Sequence, residues 1–297
     1  MSPTQPLLHL TSPQLASKWC NQQREGGETI GFVPTMGALH RGHLSLVERA
    51  ADENDLVCAS IFVNPLQFNN EGDFERYPQD LDMDFAHLER AGCAMVFTGT
   101  MNDFFPEATN PERIRTLDPG ICAQGLEGDF RPGHFAGVCT IVERLFKTVG
   151  EGRSYFGEKD YQQSRLVLEL AQRLGSPEVV ICPTIREPSG LAMSSRNRLL
   201  SKTGRNKAAI IHQSLQHARQ CWRDGEHDAK KIRNEMRSVL ERAELEIEYA
   251  DLREESNWSA DSPQGIMDRP RALIAVRIEG VRLIDNLYLP PSPEERS

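Results

Sequence analysis

Short apolar runs alternate with amphipathic stretches through the first 184 residues. TIGFVPT (29–35), LVCASIFV (56–63) and AMVFT (94–98) are largely apolar, β-rich runs of strand length. HLSLVERAAD (43–52) and DLDMDFAHLERAG (80–92) have helical spacing, the second stopping at Gly92. In AGVCTIVERLFKTVG, Val138, Ile141, Val142, Leu145 and Val149 share one helical face. SYFGEKD (154–160) begins as a strand and opens into a helix striped by Leu166, Val167, Leu170, Ala171 and Leu174; EVVICPT (178–184) is a further strand. Strand–helix alternation at this pitch predicts an α/β fold, a mostly parallel sheet with helices on both faces. After residue 184 the pattern changes. Polar helices at about 202–224 and 228–243 precede extended segments at 245–252, 271–280 and 281–289. Two domains are therefore expected, 1–184 and a smaller α+β domain over 185–297. The loop 256–270 reads as polar and turn-rich, the tail PPSPEERS as frayed.

Composition narrows the function classes. The 297 residues are 39 % apolar, enough for a real core, and no apolar run approaches the length of a membrane span. The N-terminus has no basic segment leading into a long apolar one, so it does not read as a secretory signal. Seven scattered cysteines with no CxxC pair suit a reduced, cytoplasmic protein that uses thiols as small core residues. A net charge of −9 argues against tracking a nucleic-acid backbone. A small anionic ligand remains open, because local groups decide that.

The chemistry begins at PTMGALHRGHLSL (34–46). A strand ending near Thr35, a turn at Gly37 and a helix from about His43 put the stretch at the carboxyl end of a parallel strand, where open α/β sheets bind ligands. His40 and His43, three apart, can point the same way. Gly42 allows close approach to the backbone, and N–H groups at a helix start attract anions. The reading is a phosphate seat with two imidazole donors. The alternatives are two structural histidines or a zinc site, although HExxH is absent.

Other blocks are more ambiguous. In GEKD (157–160), Gly157 permits a tight turn, Lys159 offers a compact cation and Asp160 a helix cap; an ordinary turn with a solvated lysine fits as well. MSSRN (193–197) has hydroxyls and a guanidinium suited to polyphosphate, or is a serine-rich linker. Gln67 and Gln163 suit a ligand with hydroxyls beside a carboxylate, with Asn64 a weaker candidate in the same wall. Met36 and Phe68 could touch an apolar group or be core. His134 reads as a helix cap, and Asp80, Asp82 and Asp84 as a solvated helix face.

HxGH after a first strand resembles the nucleotidylyltransferase superfamily. VPTMGALHRGHLSLV (33–47), SIFVNPLQF (60–68), LEGDFRPGHFAGV (126–138), FGEKDYQQ (156–163), GLAMSSRN (190–197) and RLIDN (282–286) together resemble the pantothenate synthetase (pantoate–β-alanine ligase) family, in order, over about residues 30–289. The resemblance implies a Rossmann-like first domain, a second domain closing over the active site, and a homodimer. It implies condensation of (R)-pantoate with β-alanine, using ATP and Mg²⁺, through a pantoyl adenylate with release of AMP and pyrophosphate. His40, His43 and Lys159 would be catalytic. Met36, Gly37, Ala38, Leu39, Arg41, Gly42, Gly157, Glu158, Asp160, Ile185, Met193, Ser194, Ser195 and Arg196 would join them around ATP. Gln67, Gln163 and Asn64 would hold pantoate, with Gln67 also bordering β-alanine. No protein-ligated metal, nucleic acid or membrane is expected. Ser189 stands where the family often has an acid, and the loop 256–270 is longer than expected. Rival readings are another HxGH nucleotidylyltransferase, a non-enzymatic nucleotide-binding module and a zinc hydrolase.

Overall fold

The computed structural model describes residues 6–69, 71–108 and 114–290. The elements run β1 (Leu8–Leu10), α1 (Pro13–Glu25), β2 (Ile30–Thr35), α2 (Arg41–Glu53), β3 (Leu56–Ile61), α3 (Glu71–Glu75), α4 (Leu81–Arg90), β4 (Met95–Phe97), α5 (Met101–Phe104), α6 (Glu127–Phe130), α7 (His134–Val149), β5 (Arg153–Gly157), α8 (Tyr161–Leu174) and β6 (Glu178–Cys182). There follow α9 (Lys202–Arg223), α10 (Ala229–Arg242), β7 (Glu246–Glu254), β8 (Pro270–Ile278) and β9 (Val281–Tyr288). By its contacts the chain divides into two units. The first takes residues up to Gly120, Arg131–Glu158 and Gln162–Pro183; the second takes Ile121–Phe130, Lys159–Tyr161 and the chain from Thr184 on.

The first unit holds a six-stranded sheet in the order β1-β4-β3-β2-β5-β6, with every pairing parallel. Strand direction alternates side chains between faces. Val33, Val57, Ala59, Ile61, Val96 and Tyr155 pack with Leu46, Val47 and Ala50 of α2 and Leu88 of α4. Residues of the opposite parity, Phe32, Cys58, Met95, Phe97 and Phe156, are buried too. There Phe156 meets Phe146 of α7, and Cys20 of α1 reaches Cys58. Both faces are therefore covered by helices, as parallel sheets require, and the α/β expectation holds. β1 and α1 carry no strong sequence signal. β1 has three residues, two of them exposed, and α1 is mostly polar, set by Ser12 as its cap and Pro13 in its first turn. Leu174, expected in the stripe of α8, is 38 % exposed. The helix ends there, at Gly175 with φ of +75°.

The second unit pairs β7, β8 and β9 antiparallel beneath α9 and α10. Its core joins Leu215, Trp222, Ile232, Met236 and Leu240 to Leu252, Ile274 and Val276. The loop between β7 and β8, expected to be polar, contributes buried Trp258 and Met267. Trp258 donates its indole N–H to the Gln124 carbonyl at 3.1 Å. Glu127 is buried beneath Arg282, which donates to it at 2.7 and 2.6 Å, and Tyr249, which donates at 2.6 Å. The tail from residue 291 lies outside the described residues.

Candidate active site

The sheet order reverses at β2. Its successor β3 lies on one side and β5 on the other, with Gly31 opposite Arg153 and Phe32 opposite Ser154. Such a switch point is where open α/β sheets leave a crevice for ligands. The histidine turn, Met36–His40, leaves the carboxyl end of β2 there, beside the end of β5 at Gly157. Helix α2 starts at Arg41, two residues earlier than its apolar spacing suggests, because His40 is its cap. The His40 Nδ1 accepts the Gly42 N–H at 3.1 Å. A nitrogen that accepts is unprotonated, so neutral His40 carries its proton on Nε2 and can donate from there. His43, on the first turn, stacks on His40 with ring centroids 4.1 Å apart and planes at 30°.

Five backbone donors of this turn and helix start serve the fold. The Gly42 N–H goes to His40 Nδ1 and the His43 N–H to the His40 carbonyl. The Gly37 N–H goes to Thr35 Oγ1, and those of Ala38 and Leu39 go to Asp84. The imidazoles are thus the groups suited to face a ligand. Asp84 is not solvated as its helix suggested; it is 2 % exposed, four residues before buried Leu88 on the inward side of α4. That spacing is the signal that could have marked it. Asp80 caps the same helix by accepting the Met83 N–H. Arg41 pairs with Glu48 on the surface.

The amide side chains gather at the neighbouring strand end. After β3, residues 65–67 form a short 3₁₀ turn capped by Asn64, whose Oδ1 accepts the Leu66 N–H at 3.2 Å. Asn64, 1 % exposed, donates to Gln67 Oε1 at 3.0 Å and to the Gly137 carbonyl at 3.2 Å. Gln67 donates to the Met36 sulfur at 3.1 Å, which ties this turn to the histidine turn. His134 does not cap α7. It is buried in the first turn and donates from Nδ1 to the Gln67 carbonyl at 2.8 Å, with Arg131 on the same oxygen at 3.4 Å. His134, Arg131 and Gly137 therefore position Gln67, a role their sequence did not reveal. Gln163 is half-buried in α8, and Phe68 packs edge-on against Phe74 and Tyr77.

In the second unit, Lys159 Nζ lies 3.6 Å from Asp160 Oδ1, and its carbonyl accepts from Asn286 Nδ2 at 2.8 Å. Asn286 is itself held by Arg271, and Asp285 receives Arg186 in a two-pronged pair at 2.5 and 3.0 Å. The RLIDN block thus anchors its neighbours. Ile185–Met193 doubles back, with Arg186 bridged to Ala192 and the Met193 N–H on the Ile185 carbonyl. Ser189 accepts the Leu191 N–H at 3.4 Å, so the turn forms with serine there. Ser194 caps the short helix Ser195–Leu199; buried Asn197 bonds to Glu187 and the Ala192 carbonyl, leaving Arg196 half-buried. Among the described residues no group of three or more His, Cys, Asp or Glu could hold a metal, and no helix is long and apolar enough to cross a membrane.

Known proteins match over nearly the whole chain. The family model described as pantoate-beta-alanine ligase matches residues 9–288. A pantothenate synthetase of Rubrobacter xylanophilus is 44 % identical over 293 residues, covering 96 % of this chain and 99 % of its own. That of Cytophaga hutchinsonii is 39 % identical over 291 residues, covering 95 % and 99 %. The crystal structure of pantothenate synthetase from Thermus thermophilus superposes with a TM-score of 0.86 at 38 % identity, covering 96 % of this chain and all of that one. A pantoate-beta-alanine ligase from Francisella tularensis, solved with beta-gamma ATP and beta-alanine, gives 0.77 at 33 % identity, covering 95 % and 98 %. Matches of this extent, on a sheet whose switch point carries the paired histidines, mean that the chain belongs to the pantoate-beta-alanine ligase family, whose activity is the ATP-dependent condensation of pantoate with β-alanine.

Proposed function

We propose that the condensation runs through pantoyl adenylate, with His40 and His43 as donors to the transferring phosphates. The pantoate carboxylate is ionised at neutral pH and needs no base. It attacks the α-phosphorus of ATP, and the bond to pyrophosphate breaks. The β-alanine amine then attacks the acyl carbon, releasing AMP. Negative charge gathers at phosphorus in the first step, so fixed donors and cations are what accelerate it. The observation that carries this reading is the stacked histidine pair at the switch point, with the His40 proton directed to Nε2. Lys159, Ser194, Ser195 and Arg196 would meet the phosphates, with Gly157, Glu158, Asp160, Ile185 and Met193 beside the nucleotide. Gln67, Asn64 and Gln163 would bind pantoate; the bond from Gln67 to Met36 supports placing the acid next to the histidine turn. ATP would enter as its Mg²⁺ complex, the cation spreading phosphate charge. A homodimer in the cytoplasm completes the proposal.

The test is product chemistry. Pantoate and ATP alone should exchange labelled pyrophosphate into ATP, without β-alanine. Oxygen-18 from the pantoate carboxylate should appear in AMP. His43→Ala should slow exchange by about 10²–10³-fold, the usual cost of losing one transition-state donor. Formation of ADP and orthophosphate would overturn the adenylate route.

A further inference from the structure

The turn that carries the histidines is built around a carboxylate from another element. Asp84, in the first turn of α4, accepts the Ala38 N–H on Oδ2 at 2.8 Å and the Leu39 N–H on Oδ1 at 2.7 Å. All three residues are buried. Ala38 has φ of +50°, a left-handed conformation that non-glycine residues rarely adopt. Before it, Gly37 has φ of +80°, and a Cβ there would lie 2.9 Å from Asp84 Oδ2. From the sheet side, Thr35 accepts the Gly37 N–H and donates to the Ser60 carbonyl at 2.8 Å. The chain is thus gripped at three successive N–H groups immediately before His40.

We propose that Asp84 is a positioning residue for adenylate formation. Its carboxylate fixes the left-handed kink at Ala38, and so the direction in which His40 leaves the turn to cap α2 and stack on His43. The chemistry calls for a carboxylate. Two oxygens receive two N–H groups at once, whereas an amide offers one acceptor and turns an NH₂ toward the other donor. Without an acceptor both buried N–H groups lose their partner, and the strained residue loses its restraint. The inference rests on the reading of His40 as a phosphate donor. A merely structural role for Asp84, holding α4 against the sheet, makes different predictions.

The experiment is a double-mutant cycle on pyrophosphate exchange with full-length Asp84→Asn, His40→Ala and the combined variant. Asp84→Asn should lower kcat by about 10–100-fold, the scale of a reacting group displaced by about 1 Å, and leave the pantoate KM within about twofold. In the His40→Ala background the same change should cost less than about threefold, because the group it positions is gone. Independent, multiplying losses would overturn the proposal, as would an unchanged kcat in Asp84→Asn. Normal turnover in His40→Ala would instead remove the histidine reading on which the proposal stands. Should Asp84→Asn fail to fold, amide hydrogen exchange in the unaltered protein decides. The Ala38 and Leu39 amides should exchange as slowly as those of β2, and exchange at open-loop rates would overturn the assignment.

Discussion

Gly137→Ala is a one-carbon change with a consequence that can be worked out. Gly137 lies in the first turns of α7, where the helix touches the backbone of the turn carrying Asn64 and Gln67. A Cβ there would sit 2.1 Å from the Leu66 oxygen, 2.4 Å from its carbon and 2.8 Å from the Gln67 nitrogen. All three are main-chain atoms, so no side chain can swing aside. Real contacts stay beyond 3.0 Å, so helix and turn must separate by close to 1 Å. Overpacking of this kind costs about 1–3 kcal/mol, and alanine returns at most about 1 kcal/mol through its better helix propensity. A net loss of up to about 2 kcal/mol should lower the melting temperature by a few degrees. Function should suffer more. The displaced turn carries Gln67 and the Asn64 bond to the Gly137 carbonyl, and a 1 Å error in a binding group can cost about 10²-fold. AMP release measured against pantoate concentration should show a KM raised by at least about tenfold, with the ATP KM little changed. Wild-type kinetics together with an unchanged melting temperature would show that the turn yields freely, and would refute the rigid coupling of α7 to Gln67.

Three further outcomes are expected. Glu127→Ala leaves half-buried Arg282 and buried Tyr249 without a shared acceptor; since Arg282 keeps Glu248 at 2.6 Å, the loss should fall at or below the lower end of the about 3–5 kcal/mol seen for broken buried pairs, read from urea unfolding. Asn286→Ala frees the Lys159 carbonyl and should cut pyrophosphate exchange by about tenfold while ATP still binds by calorimetry. Burial, with Arg186 nearby, holds the His212 imidazole below its ordinary 6.5. The unfolded chain therefore takes up the proton first, so this contribution to stability is complete above pH 6.5 and is lost as pH falls through the lower folded value; His212→Gln should flatten the fall of the urea midpoint below pH 6.5, and an unchanged slope would refute the assignment.

The parallel sheet and the histidine turn were legible because each rests on local pattern: apolar runs of strand length, then glycine and two histidines at a strand end. The first strand and helix were not, since Leu8–Leu10 is too short for a period and α1 is polar over most of its surface. Asp84 was misread because charge on a helix is usually solvated; only its spacing from Leu88 hinted otherwise, and its partners are 46 and 45 residues away in sequence. Trp258 was hidden by the polar residues around it, and its acceptor lies 134 residues upstream. Gly137 looked like any helical glycine, because the carbonyl it must clear belongs to Leu66. The misses at Asp84, Trp258 and Gly137 are contacts distant along the chain, which periodicity does not register.

The threading of Ile121–Phe130 into the second unit matters when the protein is made. Glu127 leaves the ribosome 155 residues ahead of Arg282. At elongation rates of about 5–20 residues per second, it waits about 8–30 s for the guanidinium that neutralises it. Over that interval Gln124 likewise lacks the indole of Trp258. The second unit therefore closes only once Arg282 has been made, after most of the parallel sheet is already available to fold. A gene split near residue 184 would yield a downstream fragment in which Arg282 and Tyr249 have no Glu127, so complementation between the two halves should require residues 121–130 to be supplied in trans.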